Sequence, residues 1–442
     1  MARASWYRLD NVGKFYSAEA GRRTQTVFRF SAEMDDDVVP NLLQQALDST
    51  IALFPGFNVS LRSGLFWHYL EPSPIRPLVQ PEVLPICYGL HTGPRSVLFR
   101  VSYYQRRINV EVSHMISDGR GTLSFFQELI GTYAHYRYGT SQLSCSEHVP
   151  AASNEDSFAR HYARSKAAST PTQRAYRIGG IRDGGDPTYL EYHLSARMVH
   201  QHAKQLGVSV TSLIIAAVIC ALCETRPATA ADQPIRLTVP VDLRRFFESE
   251  TTRNFFGLAT ITYPEAHCES LGAVAALVQE QMHHAATREQ LEKRMNQMIA
   301  LERNPFLRVA PLFLKDLVLG CAARIANRDI TAAVSSLGRI TFSDEVDPHV
   351  RNINLQTSTF DLNFLICTFG DDLSIGIATI FTDLKAIRAF CRIFSALGIP
   401  GYLNLNKDAT GVARILRSTQ LQETVENLRR VREGEANHDE MR

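Results

Sequence analysis

An α/β protein of mixed sheets with flanking helices, built as two similar halves, is what this sequence predicts. Apolar/polar alternation with period two and apolar steps of three and four residues interleave along nearly the whole chain, so strands and helices are intermixed. The 442 residues exceed the roughly 250–300 at which a single hydrophobic core stops growing. A strand, a three-residue gap, an Asp and a helix recur: the run from Val110 to Asp118 lines up with that from Ile375 to Asp383, Thr379 standing where His114 stands in the first. The expected halves are 1–180 and 187–442, and only the first keeps a titratable histidine.

After a mixed aromatic and polar lead-in from Trp6 to Tyr16, Thr26 to Ala32 alternates as a strand does. Leu42, Leu43, Ala46, Leu47 and Ile51 mark one face of a helix, with Asp35, Asp36 and Asp37 near its start, where the helix dipole favours negative charge. Short strands are expected at Val59–Leu61 and Leu65–Leu70, and the prolines from Pro72 to Pro85 predict a loop or sheet edge. Val97–Tyr103 is a strand paired, across Gln105, Arg106 and Arg107, with the one that ends at Ser113. Leu123, Phe126, Leu129, Ile130 and Tyr133 then recur at helical steps, so a helix runs from about Thr122 to Tyr138 and stops at Gly139.

Residues 140–157 are polar and patternless. The glycines between Gly179 and Pro187 lack the Lys-Ser/Thr pair of a phosphate loop and predict a turn. A strand at Tyr189–Leu194 precedes helices at Ala196–Leu206 and Thr211–Thr225, the second apolar all round and hence central. Strands follow at Ile235–Val241 and Leu258–Tyr263, helices at Leu271–Leu301 and Phe306–Ala326, and short strands at Ala332–Ser336 and Arg339–Phe342. Thr357–Phe369 and Leu373–Phe381 pair around Gly370 as a hairpin, Asp383 opens a helix to Leu397, and a last helical face lies beyond Leu421.

Charge excludes little. Lys plus Arg number 47 and Asp plus Glu 45, so nothing electrostatic calls for nucleic acid or an anionic membrane as partner. The longest apolar run, Leu213 to Cys223, has 11 residues, short of the roughly 18–20 that span a bilayer, so no membrane span is expected. The first ten residues lack an apolar leader segment, and several of the eight cysteines (Cys220, Cys223, Cys321, Cys367) sit in apolar runs, which predicts reduced thiols in the cytoplasm. Cys220-x-x-Cys223 has the letters of a redox or zinc half-site, but no second pair has metal spacing; core packing is the plainer reading, and no metal is expected.

His114, three spacers, Asp118 and Gly119 connect a strand end to a helix start, where a rigid scaffold can hold side chains toward a cleft. Chance supplies such a pattern about 0.04 times per chain of this composition. The bland alternative is a strand-end histidine followed by an Asp-Gly turn. A neutral imidazole can take a proton from a hydroxyl or amine as that atom attacks an acyl thioester, and no nucleophilic Ser or Cys is then needed.

With these residues the chain resembles the CoA-dependent acyltransferase superfamily of chloramphenicol acetyltransferases, plant-type acyltransferases, condensation domains and alcohol acetyltransferases. The carriers are His114 to Gly119, Pro240 to Arg244 followed by Asn254 to Gly257, and Ser335 to Gly338; Trp6 to Asn11 and Arg62 to Trp67 are most similar to the bacterial alcohol acetyltransferase-like branch. The resemblance spans nearly the whole chain in order. It implies two chloramphenicol acetyltransferase-like half-domains forming a pseudo-dimer, with a tunnel between them. It also implies His114 as general base, Asp118 pointing away from substrate to pair with Arg244, and Gly119 allowing the tight turn. Ser335 or Ser336 is either an oxyanion donor or a plain turn serine. Condensation domains carry two adjacent histidines, whereas Ser113 precedes His114 here, and the plant-type Asp-Phe-Gly-Trp-Gly signature is absent.

The expected activity is transfer of an acyl group from acyl-CoA (acetyl-CoA, for example) to the hydroxyl of a small or lipid-like alcohol, by a monomer with no permanently bound cofactor. Two alternatives stay open: a stand-alone condensation-type enzyme fed by an acyl carrier protein, and a non-catalytic binding module of the same fold.

Overall fold

The alternating stretches pair into sheets in the computed structural model, which describes residues 6–19, 27–90, 92–93, 96–141, 154–163, 173–182, 187–302, 311–312, 314–315, 329–359 and 361–405. The chain runs through β1 (Tyr7–Arg8), α1 (Asn11–Glu19), β2 (Val27–Met34), α2 (Pro40–Leu53), β3 (Val59–Ser63), β4 (His68–Pro72), β5 (Gln80–Pro81), β6 (Phe99–Tyr104), β7 (Arg107–Ser113) and α3 (Gly119–Tyr138). Next come α4 (Ser157–Arg160), β8 (Thr188–Ser195), α5 (Ala196–Gln205), α6 (Val210–Thr225), β9 (Ile235–Asp242), β10 (Phe256–Tyr263), α7 (Leu271–Ala285) and α8 (Arg288–Glu302). Last are β11 (Ala332–Arg339), β12 (Val350–Thr357), β13 (Leu362–Phe369), β14 (Asp372–Thr379), α9 (Lys385–Ala396) and β15 (Gly401–Leu405). The helices expected at 306–326 and beyond Leu421 lie outside the described residues.

Among the described residues the strands form a five-stranded sheet ordered β12-β2-β7-β6-β5, a seven-stranded sheet ordered β10-β9-β11-β13-β14-β8-β15, and a small sheet β1-β4-β3. Both large sheets mix strand directions: β5 is parallel to β6, and β11 is parallel to both β9 and β13. The mixed α/β fold expected from the sequence is therefore the fold observed.

One core gathers Phe28, Phe30, Val110, Val112 and the buried face of α3. Another surrounds α6, whose Leu213 to Ile219 are fully buried. Among the described residues no single helix is long and apolar enough to cross a membrane.

The polar side of β2 and β7 is not solvated. Arg29, Asn109 and Glu111 are at most 2% exposed. Arg29 Nε donates to Glu111 Oε1 at 3.0 Å and its Nη1 to Glu82 Oε1 at 2.6 Å, while Cys87 N donates to the same Glu111 oxygen at 2.7 Å. Alternation identified the two faces of these strands, but only the pairing partners make burial of the charged one tolerable.

β12, from late in the chain, stitches the two large sheets together. It pairs antiparallel with β2, Ile353 opposite Ala32. Across the gap, Gln356 Nε2 donates to Leu190 O of β8 at 2.9 Å, and Ser374 of β14 bonds Asn354. The backbones meet so closely that a Cβ on Gly376 would lie 1.7 Å from Leu355 O.

Several boundaries differ from expectation. The stretch expected as one helix from Leu271 to Leu301 breaks at Ala286 and Thr287; Thr287 Oγ1 donates to His284 O at 3.2 Å and closes the first helix end locally. Trp6–Tyr16 holds β1 and most of α1, with Asp10 receiving Gly13 N at 2.6 Å as a helix cap would. β11 continues through Arg339 over a bulge between Ser336 and Gly338, where Gly338 has φ +75°. Thr357 ends β12, a strand not expected from the sequence, and β13 begins only at Leu362, so the strand expected over Thr357–Phe369 starts five residues late.

Gly376→Ala is expected to destabilise the protein by about 1–3 kcal/mol or more, because the obstacle is backbone that cannot rotate away. Gly179→Ala, where a Cβ meets nothing within 4 Å, should be nearly neutral. Urea denaturation of both variants checks the difference.

Candidate active site

β7 delivers its last apolar residue, Val112, into the core, and the chain turns at His114 before α3 begins. Ile116 N donates to Ser113 O at 3.1 Å and Met115 N to Ser113 Oγ at 3.3 Å, which makes the turn tight. Asp118 is the N-cap of α3, its Oδ1 accepting Gly121 N at 2.8 Å.

Asp118 is 4% exposed, and its charge is answered from across the structure. Arg244, just after β9, donates from Nη1 to Oδ2 at 3.0 Å and from Nη2 to Oδ1 at 3.3 Å, a two-toothed pair. Phe255 N adds a bond to Oδ2 at 2.7 Å. Arg244 places its other donors on backbone carbonyls: Nε on Thr251 O at 2.9 Å and Nη2 on Arg253 O at 2.6 Å. Asp242 shares Nη1 at 3.0 Å, and Asp118 with Asp242 raises the guanidinium pKa against the opposing effect of burial, so the arginine stays charged.

The 251–255 segment that Arg244 gathers also holds the histidine turn. Thr252 O accepts Ser117 Oγ at 2.6 Å, and Asn254 Nδ2 donates to His114 O at 2.8 Å. The same Asn254 amide lies 3.2 Å from both oxygens of Asp10, which is fully buried at the start of α1. Burial pushes the Asp10 carboxyl up in pKa, opposed by Arg253 and Gly13 N–H.

Glycines mark the close approaches. A Cβ on Gly121 would sit 1.9 Å from Thr252 O, and one on Gly119 would sit 3.1 Å from Leu337 Cδ2 of β11. Gly119 is the first helical residue of α3 and is not among the glycines of positive φ. The expectation that Gly119 allows the tight turn is therefore corrected: no positive φ calls for glycine there, and a Cβ would press on β11.

His114 is half-buried and its ring is walled by aromatics. Tyr16 stacks on it at 5.0 Å between centroids, Phe28 lies at 4.4 Å and Phe256 at 6.4 Å. Its Nδ1 is buried without a hydrogen-bond partner, and so is Asn254 Oδ1. Desolvation lowers the imidazole from 6.5 to about 4, with the Asp118 charge, the Asn254 side chain and the Ser117 backbone opposing the shift. The ring is therefore neutral at pH 7. Because the folded pKa is depressed, the stability linked to this ring is complete above about pH 6.5 and is lost as pH falls toward 4.

The two serines of β11 part company. Ser335 lies opposite Leu365 and Ser336 opposite Ile366 in the parallel pairing with β13. Leu365 packs toward the core that holds Val112 and Met115, while Ile366 belongs to the core around α6. Alternation thus turns Ser335 toward the sheet that carries His114, and Ser336 toward α6, where Thr211 Oγ1 donates to it at 3.3 Å.

His114, Asp118, Gly119 and Arg244 converge; Ser336 lies apart from them. Tyr16, Phe28 and Gly121 join the site without having been singled out in sequence, and Asp10, Asn254 and Phe256 figured only as carriers of a resemblance. Asp10 ahead of a short apolar helix, and the second glycine of Gly-Arg-Gly, were the available signals.

In the second half Asp383 has no such partner. It is exposed and pairs with Lys385 at 3.0 Å, while Thr379 is buried and accepts Phe381 N at 3.2 Å.

Arg244→Met should cost about 3–5 kcal/mol, since it leaves the buried Asp118 charge without its counterpart, and Asp118→Asn less, since Asp242 still faces the guanidinium at 3.0 Å. A double-mutant cycle by chemical denaturation is expected to show coupling above about 1 kcal/mol; simple additivity would mean that the pair does not hold the turn.

Comparison with known proteins bears on the fold. Residues 193–378 match the family described as phthiocerol/phthiodiolone dimycocerosyl transferase C-terminus. No curated protein sequence matches the chain. Among solved structures, TRI3 trichothecene 15-O-acetyltransferase from Fusarium sporotrichioides superposes with TM-score 0.60 at 10% identity, over 88% of this chain and 95% of that one. TRI101 from F. sporotrichioides, complexed with coenzyme A and T-2, gives 0.60 at 11% identity, over 90% and 99%. The first condensation domain of the CDA synthetase gives 0.58 at 14% identity, over 89% and 96%. These likenesses show that the chain shares the fold of these acetyltransferases and condensation domains.

Proposed function

We propose that the protein transfers an acyl group from an acyl-CoA to the hydroxyl of a small or lipid-like alcohol, with His114 as general base and no acyl-enzyme. The observation that carries this reading is His114 itself: a half-buried residue with a neutral imidazole and a partnerless buried nitrogen, on a turn tied down by Asp118 and Asn254. As the acceptor oxygen attacks the thioester carbonyl, its proton passes to the ring, which supplies a rate factor of roughly 10² to 10⁴. The imidazolium so formed is favoured by the charge of Asp118. The tetrahedral oxyanion receives the Ser335 hydroxyl, since that serine is turned toward the sheet carrying His114. The carbon–sulfur bond then breaks, and the departing thiolate takes the proton back from the ring. Asp118 and Arg244 touch no reacting atom and act by positioning.

The donor reaches His114 through a tunnel between two half-domains, 1–180 and 187–442, and the acceptor enters from the opposite face. Solved neighbours support this reading in kind, one being an O-acetyltransferase and another holding coenzyme A. The likeness to a condensation domain favours a second reading, in which a carrier protein presents the acyl group. Ser113 in place of a second histidine argues for coenzyme A. We further propose kinship with bacterial alcohol acetyltransferase-like proteins, a cytoplasmic location, and a monomer that completes its site within one chain.

Thiol release from a panel of acyl-CoA and carrier-bound donors with short and long alcohols tests the reaction. Release with carrier-bound donors alone would favour the second reading; binding of acyl-CoA without turnover would mean a non-catalytic module. His114→Ala should lower turnover by about two to four orders of magnitude and leave the melting temperature nearly unchanged; retention of a tenth of the activity would remove the base.

The acidic limb of kcat/KM should fall near pH 4, the value to which burial lowers the ring, rather than near 6.5. Activity needs the neutral ring, so it persists above that limb and is lost below it. A limb at 6.5 would mean that another group, or a fully hydrated ring, governs the step.

A further inference from the structure

The small sheet β1-β4-β3 turns one face to the core and leaves side chains of the other in water. Leu9, Leu61 and Leu70 are buried in the core that contains Phe28 and Val112. The residues that alternate with them point the other way. Pairing sets Arg8 beside Tyr69 and Tyr69 beside Arg62 in one cross-strand row, with Trp6 two residues before Arg8 and Trp67 two before Tyr69. The sequence has two tryptophans, and both stand on this outer face.

The hairpin between β3 and β4 ends in an apolar apex. Gly64 N donates to Trp67 O at 2.9 Å and closes the turn, which leaves Leu65 84% and Phe66 47% exposed. Leu314, also exposed, belongs to a segment tied to this apex: Leu312 N donates to Leu65 O at 3.0 Å and Lys315 Nζ to Phe66 O at 2.8 Å. Exposed Trp6 extends the apolar surface along Tyr69, on which it packs edge to face at 6.1 Å between centroids.

Cations sit against these rings. Arg8 lies over Trp6 at 5.8 Å, Lys14 of α1 over Trp67 at 5.3 Å, and Lys315 over the same indole at 3.6 Å. The acid on this face, Glu71, accepts Arg62 Nε at 2.6 Å, so Arg8, Lys14 and Lys315 leave the face positive. The near balance of charge over the whole chain hides this local excess. A protruding aliphatic apex, indoles beside it and cations around them suit the boundary between lipid headgroups and acyl chains: leucine and phenylalanine leave water, indoles favour the interface, and cations meet lipid phosphates. A surface for stacking nucleic-acid bases needs open ring faces, whereas here cations lie over the indoles and the most exposed side chain is a leucine. α1 links this face to the histidine. Lys14 meets Trp67, and Tyr16, about 200° further around the helix, stacks on the His114 ring.

We propose that the outer face of β1-β4-β3, with Leu65 and Phe66 at its apex, docks the protein on an anionic lipid bilayer, which it touches without spanning. Leu65, Phe66 and Trp6 enter the interface, while Arg8, Lys14 and Arg62 stay level with the phosphates. Docking brings α1, a wall of the His114 site, to the lipid surface. It needs no turnover and is measured without substrate, so it stands or falls apart from the acyl-transfer reading.

The test mixes the full chain with vesicles of phosphatidylcholine alone, and of phosphatidylcholine with about a third phosphatidylglycerol, at physiological ionic strength, and reads flotation and tryptophan fluorescence. Both tryptophans lie on the face, so the emission reports on it directly. Half-saturation is expected at roughly tenfold less lipid with the anionic vesicles, with a blue shift and with quenching by lipids brominated on the upper acyl chain. Leu65→Glu, at a position outside the packed core, should weaken binding roughly tenfold. Arg8→Glu should remove most of the preference for anionic lipid. Melting curves show whether each variant is folded, and the wild-type quenching stands even if one is not. The proposal is overturned if the wild-type chain floats with neither vesicle or with both equally, if it binds without quenching by brominated chains, which means contact through charge alone, or if folded Leu65→Glu binds as wild type does.

Discussion

The contact on which the rest depends is the buried pair of Asp118 and Arg244. Two charges taken out of water are costly unless every donor and acceptor is met. Asp118 meets the demand with Gly121 N, Phe255 N and the two guanidinium nitrogens; Arg244 places its remaining donors on the carbonyls of Thr251 and Arg253 and on Asp242. The pair therefore joins the start of α3 to the end of β9. The turn that carries His114 is held from outside its own sheet, and a shift of one sheet against the other would move the histidine.

Around this pair the structure repeats the same device with weaker parts. Asn254 joins Asp10 at the start of α1 to the His114 carbonyl, and Tyr16 from α1 stacks on the imidazole. β12 lies edge to edge with β2 while Gln356 and Asn354 bond to β8 and β14. At each crossing the backbones come within a side chain's reach, which explains why Gly121 and Gly376 have no room for a methyl group. The histidine is kept neutral by the same enclosure: aromatic rings and core displace water without giving Nδ1 a partner.

Much of the fold was legible because each strand and helix buries a face, and burial writes a period into the residues. β2, β7, α3, α6 and the hairpin of β13 and β14 carry strong periods and stand where they were expected. The lapses fall where the period is short or local bonds decide: α1 has four apolar residues to show for itself, and Thr287 ends one helix where the apolar steps run on. The buried polar face of β2 and β7 could not be foreseen, since Arg29 and Glu111 read as solvent-facing until Glu82, Arg100 and Cys87 are brought against them.

By itself the sequence determined the fold class, the central place of α6, and the strand-turn-helix that presents His114 and Asp118, because these follow from periodicity and from residues close in the chain. Tertiary structure alone decided that Arg244, matched to Asp118 beforehand only through a family resemblance, lies 126 residues away in the chain yet 3.0 Å away in space, and that Ser335 and not Ser336 faces the histidine's sheet. Those pairings arise from the path of the chain between distant segments. A local pattern records which face of an element is buried and says nothing of what it is buried against.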